Sequence, residues 1–226
     1  MYGVLTDNQV PTGHPTPVKK RYNPSSYVHT GQYLKSIGLK LHPVSEPLSQ
    51  QIIKDYFKIM VARDPYVRLM SAYQDKLLPY KEGRVQRKLD GPIRKRYKVP
   101  LSRAISFTEL LKYVKDVGHF SNIHFRPIHD LCQPCTIPYD FIAKVESIDS
   151  DAEYIIHDIL QSQLSVSEVL NQSSGPSSTS VNHKSSSDAA HEAYGSVSDS
   201  IKQGVKDFCQ ADVMLFGYNS TKWLGF

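Results

Sequence analysis

The stretch Phe57 to Lys76, FKIMVARDPYVRLMSAYQDK, decides the fold. Ile52, Ile53, Tyr56, Phe57, Ile59, Met60, Val61 and Ala62 form a dense apolar run. Such a run suits a buried central strand of an α/β sheet better than an exposed strand of alternating polarity. It stops at Arg63. Asp64 is a good helix N-cap, and Pro65 suits the first helical position, where its missing N–H is no loss and its fixed φ is already helical. The pattern predicts a helix starting at Tyr66. Leu69, Tyr73 and Leu77, with Met70 beside them, form its packing face, while Arg68, Ser71 and Asp75 share another. Arg63 leaves the strand end and Ser71 lies two turns into the helix, so a guanidinium and a hydroxyl converge near the carboxyl edge of the sheet, where open α/β folds bind ligands. A phosphate matches that pair, because a planar fork of donors holds it bidentately. An Arg63 to Asp64 ion pair, with Ser71 bonded back into its own helix, fits the same spacing.

Working outward, the chain of 226 residues is long enough for one domain with a real core, or for a core plus a long flexible segment. The second arrangement fits better: residues 1 to 45 form an irregular lead-in, 46 to 160 the core, 161 to 200 a Ser-rich flexible insertion, and 201 to 226 a C-terminal helix returning to the core. Within the core, Ser106 and Glu109 make a capping box for a helix over 106 to 117, which Gly118 ends. Residues 48 to 56 read as a short helix or an approach to the strand. Residues 137 to 146 read as a second strand with Glu146 at its end, followed by a helix from Asp149 to Leu160.

A formal net charge of +5 and a pI near 8.9 point to an anionic partner, such as an acidic glycan or a nucleotide, and fall short of a dedicated nucleic-acid binder. The cations concentrate between Pro79 and Pro100, at Lys81, Arg84, Arg87, Lys88, Arg94, Lys95, Arg96 and Lys98. They read either as a solvated face or as a groove for a polyanion. With no run of eighteen apolar residues and no signal peptide at Met1 to Leu5, no membrane contact is expected from this chain itself. His119, His124 and His129 precede Cys132 and Cys135, but one such knuckle lacks the second ligand pair of a zinc site, and Thr136-Ile137-Pro138 cannot continue as the helix a redox pair needs. No metal is expected. The cysteines read as structural, with Cys132 or Cys135 bridged to each other or to Cys209 in a secretory setting.

At Arg63-Asp64-Pro65-Tyr66-Val67-Arg68-Leu69-Met70-Ser71-Ala72-Tyr73 the sequence resembles the 3′-phosphate-binding motif of the Golgi carbohydrate sulfotransferases, a membrane-bound group that includes chondroitin and dermatan 4-O-sulfotransferases. An ordered series of later segments is similar to that family too. It comprises Gly91 to Tyr97, Ser106 to Tyr113, His124-Phe125-Arg126-Pro127, Leu131 to Cys135, Tyr139 to Glu146, Asp207-Phe208 and Phe216-Gly217-Tyr218. Phe125 stands where the family has Trp, which keeps a stacking surface and loses an indole N–H. The resemblance covers roughly residues 50 to 220.

It implies an α/β, sulfotransferase-like (P-loop-related) parallel sheet with flanking helices. It also implies 3′-phosphoadenosine 5′-phosphosulfate as sulfate donor, a glycan or proteoglycan acceptor of chondroitin, dermatan or N-acetylgalactosamine type, and the lumenal side of the Golgi membrane. Arg63 and Ser71 would then grip the 3′-phosphate, His124 would be the general base, and Arg94 and Arg96 would meet the acceptor; a structural His124 beside Phe125 is the other reading, and Glu146, a charged group at its strand end, reads as an acceptor-sugar ligand or an alternative base. The family's upstream strand, loop and catalytic Lys for the 5′-phosphosulfate are not legible. Neither Val18-Lys19-Lys20-Arg21 nor Leu34-Lys35-Ser36-Ile37-Gly38 follows an apolar strand. The expectation is therefore an N-terminally truncated fold. Beside the enzyme stand an inactive homologue that binds nucleotide or anionic glycan, and a small zinc- or nucleic-acid-binding module.

Overall fold

Strand β3, Ile59–Ala62, pairs in parallel with β4, Phe141–Lys144, in the register Ile59↔Phe141 through Ala62↔Lys144. A parallel pair needs a long crossover, and here residues 63–140 supply it. The computed structural model of the chain describes residues 3–4, 42–43, 47–78, 89–118, 121–161 and 182–226. It divides into two units, Met1–Lys58 with Thr136–Asp140, and Ile59–Cys135 with Phe141–Phe226.

In the first unit β1, Gly3–Val4, lies antiparallel to β2, His42–Pro43, and helix α1, Pro47–Asp55, packs near both. Lys58 and Asp140 are joined three ways. The Lys58 N–H donates to Asp140 Oδ2 (2.8 Å), the Asp140 N–H donates to the Lys58 carbonyl (2.9 Å), and the ammonium lies 2.7 Å from Oδ2. The apolar run from Ile52 is thus divided: Ile52 and Ile53 belong to a helix, and the strand keeps four residues.

The second unit holds the core. Helix α2, Pro65–Lys76, starts as its sequence dictates: Asp64 Oδ1 accepts the N–H groups of Tyr66 (2.9 Å) and Val67 (3.3 Å), with Pro65 at the first position. It buries Tyr66, Val67, Leu69 and Met70. Helix α3, Gly91–Tyr97, ends in a left-handed Lys98. Helix α4, Phe107–Val117, has both halves of its capping box and buries Phe107, Leu110, Leu111 and Val114. After the short α5, Ile128–Cys132, and β4, a 3₁₀ turn at Val145–Ser147 leads to α6, Ile148–Tyr154, and a π turn at Ile155–Ile159.

Three helices close the unit: α7, Asn182–Gly195; α8, Asp199–Phe216; and α9, Thr221–Leu224. Tyr194 of α7 is fully buried, edge-on to Tyr66 (5.7 Å between centroids) and Phe107 (5.2 Å), and its hydroxyl donates to the Tyr66 carbonyl at 3.3 Å. Edge-to-face aromatic pairs add about 0.5–1.5 kcal/mol each beyond burial. Helix α8 lies across α4 so closely at Gly204 that a Cβ there would meet Lys115 Cγ at 2.4 Å.

Three expectations change. The strand is not buried on both faces: Met60, Ala62 and Ala143 face the core while Ile59, Val61 and Ile142 are exposed, since a two-stranded pair is covered by helices from one side among the described residues. The Ser-rich stretch is not uniformly irregular, because residues 182–195 are helical; residues 162–181 lie outside the described residues, as does most of the lead-in. No disulfide joins Cys132, Cys135 and Cys209.

Candidate functional site

At the carboxyl ends of β3 and β4 the chain gathers Arg63, Asp64, Lys144 and Glu146, and the C-terminal elements bring in Tyr218 and Trp223. Asp64 is buried and fully engaged: one oxygen caps α2, and the other accepts the Trp223 indole N–H at 2.8 Å. Burial nonetheless pushes its carboxyl above the usual range, with the Trp223 and backbone donors opposing that rise. Glu146 bridges the two strand ends to α8, its Oε1 accepting the Asp64 N–H (2.9 Å) and its Oε2 the Tyr218 hydroxyl (3.0 Å). Left-handed Gly217 turns the chain out of α8 and delivers Tyr218, whose ring lies 5.2 Å from Lys144 Nζ. The Tyr218 hydroxyl is raised well above its ordinary value, first by burial and then by Glu146.

Arg63 lies half-buried in this frame. Burial lowers its guanidinium, and the fields of Glu146, Asp64 and Tyr218 partly restore it. Among the described residues it makes no hydrogen bond or ion pair within 4 Å. A cation in that state is a ready anion site: the neighbouring carboxylates balance its charge while their own oxygens are taken by other donors. Ser71 stands partly exposed on α2, about 9 Å along the axis from the first helical residue.

His124 lies half-buried in the loop between α4 and α5. Its N–H donates to Asn122 Oδ1 (3.1 Å), and the Asn122 carbonyl accepts the N–H groups of Phe125 (2.8 Å) and Arg126 (3.0 Å). Phe125 is buried in the core, so it anchors this loop and offers no stacking surface to a ligand.

The remaining acceptor residues separate. Arg94 is buried: its Nε binds Asp90 Oδ2 at 3.0 Å, and its Nη1 donates to the Pro100 (2.7 Å) and Arg103 (3.0 Å) carbonyls. It holds α3 to the following loop. Arg96 is exposed, its Nε 3.3 Å from Asp116 Oδ2, which also accepts the Tyr97 hydroxyl at 2.8 Å. Lys81, Arg84, Arg87, Lys88 and His119 lie outside the described residues.

Sequence reading gave Asp212 no role. It is fully buried on α8; its Oδ2 accepts the Ile128 N–H (2.7 Å), and its Oδ1 accepts the His129 N–H (2.9 Å) and lies 2.7 Å from His129 Nδ1. The signal was present: Val205, Cys209, Asp212 and Phe216 fall on one helical stripe, so a carboxylate occupies a core-facing position. Among the described residues no group of three or more His, Cys, Asp or Glu is placed to hold a metal ion, and no helix is long and apolar enough to cross a membrane.

The chain is similar in sequence to carbohydrate sulfotransferases. Carbohydrate sulfotransferase 14 of Danio rerio is 38% identical over 115 residues, 46% of this chain and 30% of that protein. Carbohydrate sulfotransferase 12 of Mus musculus is 26% identical over 239 residues, 95% of this chain and 53% of that protein. Carbohydrate sulfotransferase 8 of Mus musculus is 27% identical over 177 residues, covering 74% and 41%. The chain thus spans about half the length, or less, of these relatives. No solved structure matches it significantly. The family model of the sulfotransferase family matches residues 16–219, which carries the likeness upstream of the strand and through α8. Helices with a small parallel sheet agree with that match, and the chain belongs to the sulfotransferase family.

Proposed function

We propose that this chain carries the 3′-phosphate end of a donor site for 3′-phosphoadenosine 5′-phosphosulfate, in a P-loop-related carbohydrate sulfotransferase acting on a glycan hydroxyl in the Golgi lumen. The observation that carries this reading is Arg63, half-buried at the carboxyl end of β3 and without a hydrogen-bonding partner among the described residues. Arg63 grips the 3′-phosphate through its fork of donors, and Ser71 adds a hydroxyl from α2.

In the transfer, the acceptor oxygen attacks sulfur in line, the new O–S bond forming as the bridging S–O bond breaks. Adenosine 3′,5′-bisphosphate departs with the electron pair, and His124 takes the hydroxyl proton. An imidazole, which both accepts and releases a proton, suits that step. Exposed Arg96 faces the anionic acceptor after exchanging its bond to Asp116. Arg94 acts from beneath the surface, holding α3, and exposed Glu146 braces the strand ends. Chondroitin or dermatan is the acceptor class in this reading.

The test is calorimetric titration of adenosine 3′,5′-bisphosphate into the chain, with Arg63→Ala and Ser71→Ala alongside. One-to-one binding that is lost in Arg63→Ala and weakened in Ser71→Ala supports the site. Transfer of radiolabelled sulfate to desulfated chondroitin or dermatan then separates an enzyme from a nucleotide-binding homologue. A folded wild-type chain that binds no bisphosphate rules the reading out.

A further inference from the structure

One half-buried cation near this site has no place in phosphate binding. Arg68, one turn beyond the N-cap of α2, is pointed at the loop between α4 and α5. Its Nη1 donates to the Arg126 carbonyl at 2.5 Å and its Nη2 to the Ile123 carbonyl at 3.2 Å. These carbonyls flank His124 and Phe125. Among the described residues no carboxylate lies within 4 Å of it; Asp212 supplies the largest favourable field at longer range. The guanidinium, half-buried, meets carbonyls alone and has no carboxylate at contact distance to offset its lost hydration. Its distinguishing property is geometric: a rigid planar fork fixes two carbonyls at once relative to the helix that carries it.

The opposite charge acts on the next residues of the same segment. Asp212 takes the N–H groups of Ile128 and His129, so a cation on α2 holds the carbonyls before Pro127 and an anion on α8 holds the amides after it. Phe125 plugs into the core between these anchors, and Asn122 fixes the His124 N–H. The backbone of His124 is thereby tied to α2, the helix that bears Ser71 and follows Arg63.

We propose that Arg68 is a positioning residue, clamping the His124 loop to the nucleotide-binding helix so that the base is set relative to the bound donor. This rests on the role given to His124 above. Displacing a catalytic group by about 1 Å costs on the order of 100-fold in rate, which is the size of effect the clamp prevents. Lysine retains the charge facing Asp212, but one ammonium cannot span both carbonyls in the plane that the fork imposes.

The test uses Arg68→Lys and Arg68→Met with three readouts: bisphosphate affinity by calorimetry, kcat and KM for sulfate transfer, and the His124 ring resonance, assigned with His124→Gln. The expected result for Arg68→Lys is a folded protein whose bisphosphate affinity stays within about threefold, whose kcat falls roughly tenfold or more at nearly constant KM, and whose His124 resonance shifts or broadens. An unchanged kcat with an unchanged His124 resonance overturns the proposal. A loss of bisphosphate affinity matching that of Arg63→Ala overturns it as well, since Arg68 would then be a phosphate ligand. If neither variant folds, Arg68 is a stability residue and the proposal falls. The resonance reads the clamp without activity, so a chain that transfers no sulfate still tests Arg68 while the functional reading fails by itself.

Discussion

Arg63 and Arg94 carry the same guanidinium in the same unit, and both looked like anion ligands in the sequence, yet the fold uses them in opposite ways. Arg94 is buried with donors on Asp90 and two carbonyls. Arg63 is half-buried beside Glu146 and Asp64, whose oxygens are occupied by Trp223, Tyr218 and backbone N–H groups. An arginine is available to a ligand when its neighbouring carboxylates are satisfied by other donors. It is structural when it is itself the donor that satisfies them.

The largest effect expected from this contrast is on Arg94→Ala. Buried Asp90 would lose its partner, and breaking such a pair from one side costs about 3–5 kcal/mol. Urea denaturation should show the loss, while the remaining folded protein keeps its bisphosphate affinity; a stable Arg94→Ala with impaired binding would reverse the two roles. Arg63→Ala is the complement. It should weaken bisphosphate binding by about 1.5–3 kcal/mol, the value of hydrogen bonds to a charged group, with a stability change small beside that of Arg94→Ala.

The contrast sharpens at Trp223, whose indole is the donor on Asp64 Oδ2. Trp223→Phe leaves that buried oxygen unsatisfied, at a cost of about 1–3 kcal/mol. Its removal should also raise the Asp64 carboxyl further. A folded-state carboxyl raised above its unfolded value binds protons preferentially in the native state, so Trp223→Phe should lose stability more steeply than wild type as pH rises through the mildly acidic range. Thermal melts between pH 4 and 7 measure this.

The smallest effect is far from the site, at the α4 cap. Glu109 is held down to about 2 by Arg103, with Ser106 helping. Its folded value lies below the unfolded one, so its contribution is present above the unfolded value near 4.5 and disappears as pH falls toward 2. Solvent screening keeps this below about 1 kcal/mol. Glu109→Gln should flatten the acid limb of stability while preserving α4, since Gln also serves in a capping box.

Elements with local signals were legible. Asp64 with Pro65 started α2, Ser106 with Glu109 started α4, and Gly118 ended it, because caps form between residues two to four apart. Helix α7 was not, because its Ser-rich composition is a poor guide when Tyr194 is buried against Phe107 and Tyr66, the latter 128 positions away. The strand's length was overestimated for a related reason. An apolar run cannot say where a helix passes into a strand, nor that Ile59 and Val61 face outward.

By itself the sequence determined the two capped helices, the strand-turn-helix bearing Arg63 and Ser71, and membership of the sulfotransferase family, since these reside in short-range patterns and in their order along the chain. Tertiary structure decided that Arg63 keeps no hydrogen-bonding partner among the described residues, that Glu146 is a brace between Asp64 and Tyr218, and that Arg68 and Asp212 hold the His124 segment before and after Pro127. The reason is physical: a charged side chain's role is set by which donors and acceptors surround it, and for Asp64, Glu146, Asp212 and Arg68 these include partners 55 to 159 positions away in the chain.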